Sequence, residues 1–323
     1  MTKAVDARWT PERRLAGLWR FAIAISVVNL LGHTLLGFEQ SAAVPFVALA
    51  TAYSVELLLE ASSAWGMGRP PRYRGGTRTF VEFLLSAHIS ALAVGMLLYA
   101  NDSLWLVAFS SALAIASKTI LRVPVGPPGP NGTRPTRHVL NPSNMAISVT
   151  LLLFPWVTAA PPYQFVENVT GAWDWFLTLL LFTSGTIVNT RFTGRLPVIV
   201  SWWAGFAAQG IARALLNGTP VLATLAPMTG IGFVLFSFYM ITDPGTTPES
   251  PKSQIAFGLA VAALYGVIVQ SHHIFGIYYS LTIVGLGRGC WLAYCAARLR
   301  HTPSAAATES PAAVASTGNI AAS

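Results

Sequence analysis

The sequence predicts an all-α, polytopic integral membrane protein, a bundle of about ten transmembrane helices. Three observations carry this expectation. Of 323 residues, 53% are hydrophobic and only 10% charged, with a mean hydropathy of +0.55, whereas a soluble globular domain carries about 25% charged residues. The chain offers apolar runs of the length that crosses the hydrocarbon core, roughly 20 residues as helix. Basic residues gather in alternate connections, as short cytoplasmic loops require. A β-barrel is disfavoured: Leu151-Leu152-Leu153-Phe154 and Leu179-Leu180-Leu181-Phe182 are continuously apolar, whereas barrel strands alternate apolar and polar residues.

Taken in order, the first run (16–37) follows a basic N-terminal segment, 1–15, with Lys3, Arg8, Arg13 and Arg14. It lacks a small-residue cleavage site and leads into further spans, so it reads as a retained helix. The second run (43–61) carries Glu56 and Glu60, four apart and hence on one helical face. Arg69, Arg72, Arg74 and Arg78 fill the break before the third run (79–100), which holds Glu82 and His88. The fourth (103–121) ends near Lys118 and Arg122. The connection 122–142 breaks at Pro127-Pro128-Gly129-Pro130-Asn131-Gly132, and Asn141 before Pro142 is a strong helix start for the fifth run (143–159).

An aromatic-rich loop leads to the sixth run (172–190), its rings suited to a membrane interface. The seventh (194–216) contains Arg213, and the eighth (219–241) stops at Thr242-Asp243-Pro244-Gly245-Thr246-Thr247-Pro248. The ninth (254–272) and tenth (274–297) follow, the last containing Arg288. One transmembrane domain, 16–300, thus precedes a tail, 301–323, too poor in bulky apolar residues to fold and expected to be disordered.

The bases place 1–15, 62–78, 122–142, 191–195, 252 and 298–300 in the cytoplasm, while Glu39, Asp102, Glu167 and Asp174 mark the opposite side. Both termini are then cytoplasmic. The net charge of +8 is topological and implies no nucleic-acid partner. Abundant Ala and an excess of Arg over Lys hint at a GC-rich bacterial genome, hence a bacterial cytoplasmic membrane. With only Cys290 and Cys295, no disulfide framework forms.

Helix N-termini present unpaired N–H groups, so the breaks at 141–144 and 243–248 suit a phosphate or polar ring edge. Asn141, Ser143, Asn144, Asp243, Thr246 and Thr247 are the candidate cofactor-binding residues. Simple capping and a tight turn explain the same residues without a ligand. The intramembrane polar groups Glu56, Glu60, Glu82, His88, Lys118, Arg213 and Arg288 need partners. Lys118 and Arg122 are the expected partners of the three carboxylates, as a salt-bridge network or a proton relay. No H-x-x-x-H or E-x-x-H pair exists, so no metal site is expected. Both breaks follow an even-numbered run and precede an odd-numbered one, which admits a duplicated architecture without an evident sequence repeat.

The ten-run pattern, the Asn-Pro helix start and Met240-Ile241-Thr242-Asp243-Pro244 resemble the RnfD/NqrB family of membrane electron-transport subunits. Within it, Arg137-His138-Val139-Leu140-Asn141-Pro142-Ser143-Asn144, Ala160-Pro161-Pro162-Tyr163-Gln164-Phe165 and Thr242–Pro248 look like the UnbU-type proteins of enediyne gene clusters. The resemblance covers residues 16–297. It implies a ten-helix bundle, a flavin (FMN or riboflavin) and other enediyne-cassette proteins as partners. The family's flavin-bearing threonine lies in an SGAT-like sequence. Here only Thr183-Ser184-Gly185-Thr186 and Val169-Thr170-Gly171-Ala172 approach it, so a non-covalent flavin is implied rather than a covalent one. The expected function is a membrane component of enediyne biosynthesis, passing electrons or holding a polyene intermediate. A self-resistance exporter and an anchor for soluble enzymes are the alternatives.

Overall fold

The computed structural model describes residues 11–126 and 134–301. The Pro127–Gly132 break, most of the N-terminal segment and nearly all of the tail lie outside the described residues. Eleven helices follow in order: α1 (Pro11–Leu31), α2 (Val44–Gly66), α3 (Thr77–Leu97), α4 (Leu104–Ile120), α5 (Pro142–Leu153), α6 (Ala172–Ile187), α7 (Leu196–Asn217), α8 (Val221–Leu225), α9 (Ile231–Leu235), α10 (Pro251–Gln270) and α11 (Gly276–His301). Two antiparallel pairs of short strands close opposite parts of the bundle: β1 (Leu98–Tyr99) with β4 (Thr158–Ala159), and β2 (Arg122–Pro124) with β3 (Thr136–His138).

This is an all-α membrane bundle. Five helical stretches are long and apolar enough to cross a bilayer: Leu15–Leu36, Val44–Gly66, Thr77–Leu97, Leu196–Asn217 and Pro251–Gln270. A sixth is available if Val221–Thr229 and Ile231–Met240, bent by 64°, count as one broken span. The expected ten is therefore too many by this measure. Each apolar run is helical, but several are short or interrupted. α4 has 17 residues, and α5 only 12, because Pro155 forces Phe154 out of the helical region. The eighth run breaks at Gly230, which is extended (φ −84°, ψ 147°) after Pro227.

The two halves of the chain pack alike. In the first, α1 lies on α3, α2 on α3 and α4, and α4 on α5; in the second, α6 lies on α9, α7 on α8 and α10, and α10 on α11. Local devices repeat too. π-helical turns at Gly32–Leu36 and Val188–Thr193 end in left-handed Gly37 (φ 96°) and Gly194 (φ 61°), a conformation that lacks a Cβ penalty only for glycine. The following helices, α2 and α7, both have a proline in the first turn, where its missing N–H costs nothing. The two breaks do not occupy equivalent places in this arrangement: the first lies between the fourth and fifth runs, the second between the eighth and ninth.

The core runs through both halves. On the second, Trp202, Phe206, Phe233 and Phe236 form an aromatic cluster with ring centroids 4.7–5.6 Å apart. Small residues let α7 and α10 approach closely, since a Cβ on Gly205 would lie 2.7 Å from that of Ala262. Large apolar side chains such as Phe46, Leu58, Leu152, Leu179 and Leu216 face outward. In a water-soluble protein such a surface would be anomalous; in lipid it is the expected face.

Candidate functional site

The two helix breaks, a hundred residues apart in sequence, meet in space. Helix α5 begins at Asn141, whose Oδ1 accepts from the Asn144 N–H (3.1 Å) and the Ser143 hydroxyl (3.0 Å). Its amide nitrogen donates 3.0 Å to the Met240 carbonyl, at the end of the π-helical turn Phe236–Met240. Helix ends leave carbonyls without partners, and this one is satisfied by the other break. Asn189 does the same for the Phe238 carbonyl (2.9 Å). Asn144 is 1% exposed and ties α5 to α11, donating to the Tyr278 carbonyl (3.0 Å) and the Thr282 hydroxyl (2.8 Å).

Asp243 organises the second break. Its carboxylate accepts from the Gly245 N–H (3.1 Å) and the Thr246 hydroxyl (3.1 Å), and faces His138 Nε2 at 3.4 Å. Burial opposes its ionisation, but His138 and these donors outweigh it and hold the pKa below the ordinary aspartate value. Thr247 donates to the Ile241 and Asp243 carbonyls, both at 2.8 Å. Three carbonyls of the loop point to guanidinium groups: Pro244 and Pro248 to Arg195, and Thr246 to Arg288 at 2.7 Å. Arg195 is 2% exposed. Burial lowers its pKa to about 10, against the pull of Glu249, which leaves it charged at neutral pH.

Glycines set the fit of the first break against its neighbours. A Cβ on Gly245 would collide with the His138 ring, and Cβ atoms on Gly285 and Gly289 of α11 would lie 2.9 Å from Leu140 Cδ2 and 2.8 Å from Val139 Cβ. The segment His138–Leu140 is thus held between a glycine of the second break and two glycines four apart on α11, the spacing that lets a helix admit close neighbours in a membrane.

Beside this junction lies a cavity of about 650 Å³ between α10 and α11. Its walls include Arg137, Glu249, Arg288, Phe257, Trp291 and Leu292. Arg137 pairs with Glu249 at 2.6 Å. The predicted residues Asn141, Ser143, Asn144, Asp243, Thr246 and Thr247 are brought together, but their polar groups bond mostly to the protein and form the framework behind the cavity wall. Sequence reasoning placed Arg195 in a loop and passed over Gly285 and Gly289; the i,i+4 glycine spacing in an apolar helix was the available signal.

The other polar residues form separate clusters. Lys118 Nζ pairs with Glu56 at 2.8 Å, as expected. Glu60 pairs instead with Arg69 (2.6 Å) and Arg72 (2.7 Å), and Glu82 with Arg78 (2.7 Å). Arg122 bonds Thr136 and the Lys118 carbonyl. Arg69 and Arg72, in the loop after α2, and Arg78, one turn before Glu82 on α3, win over Lys118, which lies on another helix. His88 lies between the Tyr53 hydroxyl (2.6 Å from Nδ1) and the Ser26 hydroxyl (2.7 Å from Nε2). Because Ser26 also donates to the Ala22 carbonyl, one set of protons satisfies the cluster: Tyr53 donates to Nδ1 and Nε2–H donates to Ser26, a neutral imidazole. Arg213 donates to Gln209 at 2.8 Å. Among the described residues, no group of three or more His, Cys, Asp or Glu is placed to hold a metal.

Comparison with protein-family models finds none that matches this chain. Among curated proteins, none matches it either.

Proposed function

We propose that this chain is a membrane component of enediyne biosynthesis on an RnfD-like scaffold, its basic end and both termini in the cytoplasm. The cavity between α10 and α11 is its ligand site, open to a non-covalent flavin (FMN or riboflavin) or to a polyene intermediate, and other enediyne-cassette proteins act on the same material. The observation that carries this reading is the union of the two resemblance-bearing motifs: Asn141 reaches Met240 at 3.0 Å, His138 faces Asp243 at 3.4 Å, and the cavity opens beside them.

The cavity fits a flavin in kind. Trp291 offers a ring for stacking, Phe257 and Leu292 an apolar wall, and Arg137 and Arg288 a place for a phosphate. A bound flavin would supply electron transfer, and the chain's own residues would orient it. Neither sequence approaching the attachment motif lies among the cavity walls: Thr186 is on α6 and Thr170 in the loop before it.

Deletion of the gene from a producing strain tests the function. The proposal predicts that no enediyne core is made. Product that accumulates inside the cells, with raised self-toxicity, would identify an exporter and overturn it.

A further inference from the structure

The connection between α2 and α3 carries more positive charge than its own carboxylates balance. From Glu60 to Glu82 the sequence holds four arginines, Arg69, Arg72, Arg74 and Arg78, against those two carboxylates alone. Glu60, 3% exposed, takes both Arg69 and Arg72, and Glu82 takes Arg78. Arg74 is exposed and makes no ion pair or side-chain hydrogen bond among the described residues. Its place in the loop is nevertheless fixed. The Glu60 carboxylate accepts from the Arg72 N–H and Nε, both at 2.8 Å, and the Arg74 N–H donates to the Pro71 carbonyl at 3.1 Å. Tyr73 packs edge-on against Phe80 and Phe83, with ring centroids 6.3 and 5.8 Å apart, and the Arg72 guanidinium lies 5.6 Å over the Phe83 ring. A base held this way loses little conformational freedom when it binds. Arg78 keeps its side chain 85% exposed, so solvent screens its pair with Glu82.

The same segment sits at a membrane boundary. Helices α2 and α3 are both long and apolar enough to cross a bilayer, so the loop that joins them, 67–76, emerges at one of its faces. Large apolar side chains are exposed on either side of it: Trp65 (88%) and Met67 at the end of α2, Phe80 and Val81 at the start of α3. A tryptophan at such a place suits the headgroup level. The tendency of bases to stay on one side of a membrane explains how many arginines the loop has. It does not require them to be held in place or set among exposed rings.

The geometry points to a binding surface for an anionic phospholipid headgroup on this loop, the phosphate on Arg74 and Arg78 and the acyl chains beside Phe80 and Val81 of α3. This surface is independent of the α10–α11 cavity and of the biosynthetic role. Inorganic phosphate offers the same charge without an apolar body. The binding experiment separates the two.

The full chain is purified into nanodiscs of phosphatidylcholine with graded phosphatidylglycerol, and retained lipid is counted by native mass spectrometry. Phosphatidylglycerol is retained about tenfold over phosphatidylcholine, as basic residues near anionic lipid produce. R74Q lowers this preference severalfold, and R74Q with R78Q brings it to near parity. R191Q, which removes an exposed base in the turn after α6, leaves it unchanged. Should the double variant insert poorly, R74Q carries the test alone, because Arg74 has no side-chain partner among the described residues to lose. Equal retention of the two lipids by the wild type, or an undiminished preference in R74Q, overturns the inference. A fall in R191Q as large as in R74Q reveals diffuse attraction to the whole basic surface and overturns it too. Displacement of phosphatidylglycerol by millimolar inorganic phosphate makes the site one for a soluble anion and overturns the lipid assignment.

Discussion

Three glycines on one helix provide a test of the junction with opposite signs. A Cβ at Gly289 would lie 2.8 Å from Val139 Cβ, and one at Gly285 2.9 Å from Leu140 Cδ2, whereas at Gly287 nothing lies within 4 Å. Carbon atoms pack best at about 3.5–4.0 Å, so the first two substitutions must push His138–Leu140 away from α11 by most of an ångström. Overpacking of this kind costs about 1–3 kcal/mol. Gly287→Ala meets no such contact and gains helix propensity, about 0.5–1 kcal/mol. The assay is thermal unfolding of the detergent-solubilised protein followed by tryptophan fluorescence. Gly289→Ala and Gly285→Ala should lower the midpoint by several degrees, and Gly287→Ala should leave it unchanged or raise it. Equal effects at all three positions, or the largest loss at Gly287, would refute the placement of the first break against α11.

Other consequences are as direct. Glu56→Gln leaves Lys118 without its countercharge at a site where both side chains are nearly buried (11% and 12% exposed), and should destabilise by about 3–5 kcal/mol; adding Lys118→Met should recover most of the loss, and a double-mutant cycle that shows no coupling would exclude the pair. Glu60→Ala frees the 69–72 segment that its carboxylate holds, so trypsin should cut after Arg72 faster in the variant, with cleavage mapped by mass spectrometry. Asp243 has a native pKa below the ordinary value; its contribution is complete above the ordinary aspartate range and is lost as pH falls below it. Melting curves from about pH 3 to 7 should therefore show a steeper acid loss in the wild type than in D243N, and parallel curves would deny Asp243 that role.

How much of this was legible in the sequence differs from element to element. All ten apolar runs are helical because burial in lipid and helix formation ask for the same thing, backbone polar groups satisfied within the segment. Their ability to span was not legible from hydropathy, because it depends on where each helix stops: Pro155 shortens α5, and Pro227 with Gly230 breaks the eighth run. Asn141 was readable as a cap and acts as such. Only the structure shows that Asn141 also serves the Met240 carbonyl, since that bond joins residues 99 apart. The partners of Glu60 were missed because sequence spacing along a helix does not reveal how a connecting loop folds back, whereas Arg78, four residues before Glu82 on α3, was legible from the spacing. The cavity was invisible for the same reason: Arg137, Glu249 and Arg288 belong to three separate elements.

The central claim is that the α10–α11 cavity holds the molecule on which the protein acts. Ala256 lines that cavity and is exposed, remote from the hydrogen bonds of the junction, so Ala256→Trp fills the space and leaves the framework intact. Enediyne core formed per unit of membrane-inserted protein, measured in a deletion strain complemented with the variant, should fall to background while the melting temperature is retained. Wild-type product from A256W would contradict the claim.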